Sequence, residues 1–351
     1  MRVEENKELA PFTTFGVGGP AHWFAEARSE DDIAEAAVWA RGRGVPLFVL
    51  GGGSNLLVAD AGFAGMVLHI GLRGINRNED QDRGLFQVAA GEDWDAFVQR
   101  SVRDRCAGLE CMAGIPGTVG GTPVQNVGAY GQEVASNICK VRAYDLQTGA
   151  FVEFSNAECR FAYRRSRFNT EDRGRYVVTR VDYRLVPGGA PTLRYADLQR
   201  EFSAQPNASL SEVADAVRRI RRSKGMLLVE GDPDCRSAGS FFKNPVVGEE
   251  RIRQIAAAVG KEPPCFRADE NSGHVKTSAA WLIEQAGFAK GYARGATGIS
   301  SRHTLALINR GGAKATEILA LADEIASLVE TRFGVHLEKE PVLLGFGTDR
   351  S

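Results

Sequence analysis

The chain carries no surplus of charge. Its 43 Lys and Arg stand against 44 Asp and Glu, a formal net charge of -1. That balance argues against a general nucleic-acid binder, which needs a basic excess to neutralise phosphates. Long apolar runs are also missing. Residues 45–50 are among the longest, far below the roughly 20 residues of a bilayer-spanning helix, so no membrane segment is expected. The opening MRVEENKELAPF alternates charges and lacks the apolar stretch of a secretory signal. The six cysteines include no CxxC pair, which favours reduced, buried thiols over a disulfide or zinc framework. The five histidines form neither HExxH nor a Cys/His cluster, so no metal is expected. No internal repeat or low-complexity tract is visible. With 351 residues, 43% hydrophobic and 25% charged, the chain reads as two or three globular domains and not as a disordered or fibrous protein.

Glycine is the residue in surplus, with 40 copies. Around it, patterns of local structure can be read. Residues 21–27 form a β candidate. Ser29 then caps a helix, with Asp32 three residues on and Ile33, Ala36, Ala37 and Ala40 at helical spacing; Gly42 and Gly44 end it. Residues 45–50 read as a short buried strand and 65–70 as a second β segment. The middle is β-rich, with strands over 86–90, 140–145, 151–155 and 176–185 and helices over 94–103 and 209–222. Ser209 and Glu212 make a capping box for the second of these. The last third looks like a separate α/β unit. It has a loop at 225–237, a helix over 278–286 stopped by Gly287, a strand over 303–309, a turn at 310–312, a helix over 315–333 and a final strand over 335–344.

Two glycine-rich segments are the first functional candidates. Gly51, Gly52, Gly53, Ser54 and Asn55 follow a buried strand. Small residues in succession let several N–H groups converge on an anion. The spacing is neither GxGxxG nor a Walker A motif, and a tight turn is the plain alternative. The second segment, 114–131, holds six glycines interleaved with Pro116, Thr118, Thr122, Gln125 and Asn126. A turn needs one or two glycines. Two such segments in one half of the chain favour a cradle for a large polar ligand such as a dinucleotide.

The runs TTFGVGGPA (13–21), LGGGSNLLV (50–58), AGIPGTVGGTPVQNVGAYG (113–131), FAYRRSRF (161–168), AGSFFKNP (238–245), SAAWLIEQAG (278–287) and LEKEPV (337–342) occur in order over nearly the whole chain. In these the sequence resembles the UDP-N-acetylenolpyruvoylglucosamine reductases. The segment LRYADL around Tyr195 is similar to the type with a substrate-clamping tyrosine loop. Two local departures are Gly52, where some members carry an acidic residue, and a longer stretch over 225–236. The resemblance implies an α+β chain: a two-part FAD-binding region of the vanillyl-alcohol-oxidase type (1–70 and 71–224), a C-terminal α/β substrate-binding domain (225–337) and a tail, 338–351, returning to the active site. It implies a cytoplasmic, monomeric flavoprotein of peptidoglycan precursor synthesis, serving cell-wall formation, cell shape and division. The reaction implied is reduction of UDP-N-acetylglucosamine enolpyruvate to UDP-N-acetylmuramate, with non-covalent FAD as cofactor and NADPH as co-substrate.

Such a reaction needs a flavin, cationic or hydrogen-bonding groups at a carboxylate where charge builds, and a proton donor for carbon. By resemblance Ser240 is the proton donor, with Glu340 and Arg164 as the other catalytic residues. Gly51, Gly52, Gly53, Ser54, Asn55, Ile115, Pro116, Gly117, Gly120, Gly121, Gln125, Asn126 and Gly128 bind the cofactor. Tyr163, Tyr195, Lys224 and Asn244 bind the substrate. Each has a blander reading. Ser240 could be a turn hydroxyl, and Arg164 one cation of a solvated Arg164/Arg165/Arg167 face. Glu338 shares the strand face of Glu340 by the period of two, so only the motif chooses between them. Lys224 closes a basic run, Arg218, Arg219, Arg221 and Arg222, that a helix C-terminus favours anyway. Two rival functions are another FAD oxidase or dehydrogenase with the same cofactor cradle, many of which tether the flavin through a His or Cys, and a non-catalytic nucleotide-binding or regulatory protein. His22 and His69 lie outside the glycine segments, which disfavours a tether.

Overall fold

The structure is a computed structural model that describes residues 1–77, 84–205, 207–267 and 273–347. The chain divides into two compact units. One comprises Met1–Lys7, Ala21–Gly53 and Phe63–Arg222; the other comprises Glu8–Pro20, Ser54–Gly62 and the chain from Ser223 onward. The second unit therefore borrows two short N-terminal segments that nothing in the local sequence pattern separates from their neighbours.

The first unit is built on two larger sheets. In the first, the strands run in the order Val3–Glu8, Pro20–Ala27, Phe63–Ile70, Leu47–Leu50. Phe63–Ile70 lies parallel to both of its neighbours. The crossover that parallel strands require is the helix Glu30–Arg43. Its start follows from the sequence: the Ser29 hydroxyl accepts the Asp32 N–H at 3.1 Å, and the Asp32 carboxylate accepts the Ser29 N–H at 2.9 Å. Gly44, at φ +64, ends it in the left-handed conformation. Ile33, Ala36, Ala37 and Ala40 are buried, as their spacing predicts.

The second sheet runs Ala150–Ser155, Ile138–Asp145, Tyr176–Arg184, Leu85–Ala89, Ile75–Arg77, and every pairing is antiparallel. Trp94 and Phe97, from the helix Trp94–Arg103, pack against Tyr183 of this sheet at ring distances of 6.0 and 5.1 Å. The buried Tyr183 hydroxyl lies 2.6 Å from Thr122 Oγ1. The core thus fixes one point of the second glycine segment, and burial pushes the Tyr183 phenol well above its ordinary pKa.

The second unit is built on the helix Ala315–Phe333, whose Ile318, Leu321, Ala322, Ile325 and Val329 are all buried. Phe15, Phe241, Phe242, Leu282, Ile283 and Leu307 belong to the same core. The helix start is capped from a distance: the Asp60 carboxylate accepts the Ala315 N–H at 2.6 Å and the Thr316 N–H at 3.1 Å. Leu56–Val58 pairs in parallel with Val342–Leu344.

Two expected strands are shorter than the sequence suggests. Of 335–344, only Val342–Leu344 is a strand. Val335 and Leu337 turn into the core, and Pro341 has no N–H to extend the ladder. Glu338 and Glu340 thus flank a single antiparallel bridge, Phe242 with Lys339. Of 303–309, only Leu307–Asn309 is a strand. The Ser300 hydroxyl accepts the N–H groups of Arg302 and His303 at 3.1 and 3.3 Å, which folds 300–306 into a turn.

Candidate active site

In the first unit the two glycine segments meet main chain to main chain. A Cβ on Gly52 would lie 2.7 Å from the Gly117 Cα, and one on Gly51 would lie 2.7 Å from Thr118 Oγ1. At Gly52 the obstacle is main chain and cannot step aside, whereas at Gly51 it is a side-chain hydroxyl. Gly117, at φ +128, adopts a backbone conformation that side chains avoid. Ile115 and Pro116 are half-buried beside it, as are Gln125 and Gly128 further on. Gly120 packs on Ala90, whose carbonyl accepts its N–H at 2.8 Å, whereas Gly121 faces open space. Such a main-chain-lined cradle suits a flat, polar dinucleotide, because backbone can approach the ligand without intervening side chains.

Asn126 has a different local duty. It is buried at φ +44. Its amide donates to Ala162 O at 3.0 Å and to Glu133 at 3.1 Å, and its oxygen accepts the Ala135 N–H at 3.1 Å. It ties the glycine segment to the tight turn that carries Tyr163 and Arg164. Ala162 and Arg165 close that turn by exchanging backbone hydrogen bonds of 2.9 and 3.0 Å. Arg164 sits at its tip with φ +55. Its Nη2 donates to Gly128 O at 3.0 Å, and its guanidinium lies 5.5 Å from the Tyr163 ring. Arg164 is thus directed at the glycine segment and is not one member of a solvated face. Tyr195 is exposed and stacks edge-on against Tyr130 at 5.1 Å.

The second unit brings Ser240 and Glu340 to adjoining chain segments. Gly239, at φ +72, turns the chain into Ser240. Phe241 and Phe242 then plunge into the core, each 1% exposed. The Phe241 N–H donates to Leu305 O at 2.8 Å. Its carbonyl accepts the Glu340 N–H at 2.9 Å, and the Lys243 N–H donates to Glu338 O at 2.9 Å. Glu338 points outward into an ion pair with Lys243. Glu340 is half-buried, so burial separates two glutamates that sequence geometry left equivalent. Asn55 donates its amide to Glu340 O at 3.1 Å. Its carbonyl accepts the Val342 N–H at 3.0 Å. Ser54 O accepts the Thr14 hydroxyl at 3.4 Å.

Asn244 caps the helix Ala279–Gln285, its Oδ1 accepting the Ala279 N–H at 3.0 Å. Lys224 is half-buried and lies within electrostatic reach of His303. Burial, then the charges of Lys224 and Lys290, push the His303 imidazole down to about 4. The arginines before Lys224 do not form one basic face. Arg218 pairs with Asp95 and Arg219 with Glu201, while the buried Arg221 donates to Gly114 O at 3.0 Å. Sequence reasoning read Arg221 only as one cation of a basic run and passed over His303 and the fully buried Glu110. A signal existed for Glu110: it is one charge in the otherwise apolar run Leu109, Cys111, Met112. Among the described residues, no group of three or more His, Cys, Asp or Glu side chains is placed to hold a metal ion.

Two family models match successive parts of the chain. Residues 21–155 match the FAD binding domain, and residues 232–344 match the UDP-N-acetylenolpyruvoylglucosamine reductase, C-terminal domain. The UDP-N-acetylenolpyruvoylglucosamine reductase of Streptomyces coelicolor is 47% identical over 347 residues, covering 96% of this chain and 89% of that protein. The chain belongs to the UDP-N-acetylenolpyruvoylglucosamine reductase family. The Thermobifida fusca reductase is 46% identical over 97% of both chains. The crystal structure of the Thermus caldophilus UDP-N-acetylenolpyruvylglucosamine reductase superposes with a TM-score of 0.67 at 26% identity, covering 98% of this chain and 99% of that one. The chain is thus an FAD-binding oxidoreductase of this family, with an FAD-binding domain followed by the reductase C-terminal domain, and its mixed helix and strand content is that of the expected α+β class.

Proposed function

We propose that this protein reduces UDP-N-acetylglucosamine enolpyruvate to UDP-N-acetylmuramate, using NADPH and non-covalently bound FAD. The observation that carries the reading is the backbone pairing of Phe241 with Glu340, which keeps Ser240 and Glu340 on adjoining segments in a chain nearly half identical to reductases of this name. FAD, when bound, supplies the hydride chemistry that protein side chains lack. The main chain of Gly51, Gly52, Gly53, Ile115, Pro116, Gly117, Gly120, Gly121, Asn126 and Gly128, with Ser54, Asn55 and Gln125, would hold it, while the Asn126 side chain braces the segment.

Ser240 holds a proton on Oγ for the substrate carbon beside the carboxylate. A hydroxyl is a weak acid, but a carbanionic carbon is basic enough to take its proton when the two are pre-positioned. Arg164 offers a planar fork of donors to the substrate carboxylate, and its contact with Gly128 fixes where the fork starts. Glu340 shares the polar environment of that carboxylate. Lys224 engages the diphosphate, with Tyr163, Tyr195 and Asn244 as its neighbours on the UDP-sugar. The two sheets of the first unit fit FAD-binding subdomains over 1–70 and 71–224, and the chain over 225–337 fits a substrate domain. The same reading makes the protein a monomeric enzyme of cytoplasmic cell-wall precursor synthesis.

The test is colour. The purified protein should be yellow, bleach with NADPH, and recover its colour anaerobically when the enolpyruvyl UDP-sugar is added. Denaturation should release the flavin intact. A colourless protein that FAD cannot reconstitute would favour a non-catalytic nucleotide binder. Flavin that stays attached after denaturation would favour a tethered oxidase.

A further inference from the structure

Glu110 is fully buried, an expensive place for a carboxylate unless donors surround it. Three N–H groups do so. Gly108 N donates at 2.8 Å, Gln132 Nε2 at 2.7 Å and Thr192 N at 2.8 Å. These donors come from three separate stretches of the first unit. Gly108 lies in the same turn as Glu110. Gln132 lies in the short hairpin Gly128–Ala129/Gln132–Glu133 that ends the glycine-rich segment. Thr192 lies three residues before Tyr195.

Every polar atom of Thr192 is engaged in this network. Its N–H goes to Glu110, its hydroxyl accepts from Gln132 Nε2 at 3.1 Å, and its carbonyl accepts the Cys111 thiol at 3.1 Å. Burial and the adjacent Glu110 charge push the Cys111 thiol up, which keeps it protonated as a donor. Gln132 is used at both ends, since its oxygen accepts the Cys111 N–H at 2.8 Å. Residues 190–194 have no helix or strand of their own, so these bonds hold the root of the Tyr195 segment. A second contact lies further along. Tyr130, at the tip of the same hairpin, meets the Tyr195 ring edge-on.

We propose that Glu110 is a positioning residue: it ties the root of the Tyr195 segment to the glycine-rich hairpin, so that the tyrosine moves about one fixed anchor. This rests on the reading of Tyr195 as a substrate contact. A pinned root leaves little chain to order when substrate binds, so the entropic cost of closure falls. A glutamine at 110 keeps one acceptor oxygen but presents an NH2 group to donors, so at least one of the three N–H groups loses its partner.

The experiment uses the FAD-loaded enzyme with Glu110→Gln, Tyr195→Ala and the double variant. The anchor predicts that Glu110→Gln raises KM for the UDP-sugar about tenfold, with KM for NADPH and bound flavin unchanged. The double variant should then be no worse than Tyr195→Ala alone. Amide hydrogen exchange over 190–201 should also quicken in Glu110→Gln without substrate. Unchanged exchange in that segment, or KM effects that multiply independently, would overturn the anchor. Tyr195→Ala with unchanged KM would instead overturn the clamp reading, while exchange would still judge the anchor. If Glu110→Gln does not accumulate as folded protein, Thr192→Val removes one bond of the network. It should quicken exchange in the same segment, and unchanged exchange would again reject the anchor.

Discussion

The Glu340 N–H donates to the Phe241 carbonyl at 2.9 Å, so a residue near the C-terminus is fixed beside Ser240 by the main chain. The bond joins segments about a hundred residues apart. Both ends are anchored independently: Phe241 and Phe242 are buried in the core, and Asn55 holds the Glu340 carbonyl. Main-chain anchoring of this kind fixes the backbone from which each side chain projects, a precondition for the proposed acid–base work on a carbon centre.

Ser240→Ala should therefore separate the two half-reactions. Stopped-flow absorbance should show NADPH bleaching the flavin at the parental rate. Reoxidation by the enolpyruvyl UDP-sugar should slow by roughly 10²–10⁴. Reoxidation at the parental rate would remove Ser240 from the mechanism.

The two glutamates should behave differently despite sharing a motif. Glu340→Gln should lower kcat by roughly 10²-fold or more. Glu338→Gln breaks only the exposed pairing with Lys243 and should cost at most about 1 kcal/mol of stability. Steady-state turnover of both variants, beside thermal melts, measures the contrast. Equal loss in the two would return the assignment to ambiguity.

The cradle can be probed with one methyl group. Gly52→Ala places a Cβ 2.7 Å from the Gly117 Cα, a main-chain atom that cannot step aside. Overpacking of this kind costs about 1–3 kcal/mol, which should appear as weaker FAD binding by fluorescence titration of the apoprotein. Gly121→Ala adds its methyl to open space and should retain the cofactor. Equal retention by both variants would count against the close approach of the two segments.

His303 links charge to pH. Its imidazole is depressed from 6.5 to about 4 by burial and by the charges of Lys224 and Lys290. A lowered histidine pKa means that the unfolded chain takes up its proton first as pH falls. Stability should be unaffected by this group above pH 6.5 and should decline between 6.5 and 4, by about 3 kcal/mol in all. Lys224→Ala removes one cation and should raise the His303 pKa in an NMR titration. It should also raise KM for the UDP-sugar more than KM for NADPH. A His303 titration that ignores the lysine would leave burial and Lys290 as the causes of the depression.

Much of the fold was legible because its causes are local. The Ser29–Asp32 capping box, the alanine stripe behind it and the apolar stripe of Ala315–Phe333 each lie within a few turns of chain. The second glycine segment was legible as more than a turn because its six glycines exceed the one or two that a turn needs. The shortened strands were not: the Ser300 turn rests on hydroxyl bonds to Arg302 and His303 that an alternation of apolar and polar residues does not register, and the inward turn of Val335 and Leu337 depends on distant packing. The sequence also could not show that Asp60 caps a helix 255 residues away.

By itself, the sequence determined the periodic elements, the glycine-rich main chain and the motifs that carry the family resemblance, because these follow from short-range sterics and side-chain type. Only the tertiary structure decided which of Glu338 and Glu340 is the less exposed, that Asn126 and Glu110 bind other protein groups, and that Arg218, Arg219 and Arg221 go to three separate partners. Those outcomes depend on which donors and acceptors the folded chain brings within hydrogen-bond reach of a buried group. Residue identity sets the cost of burial, and the fold alone supplies the partners that offset it.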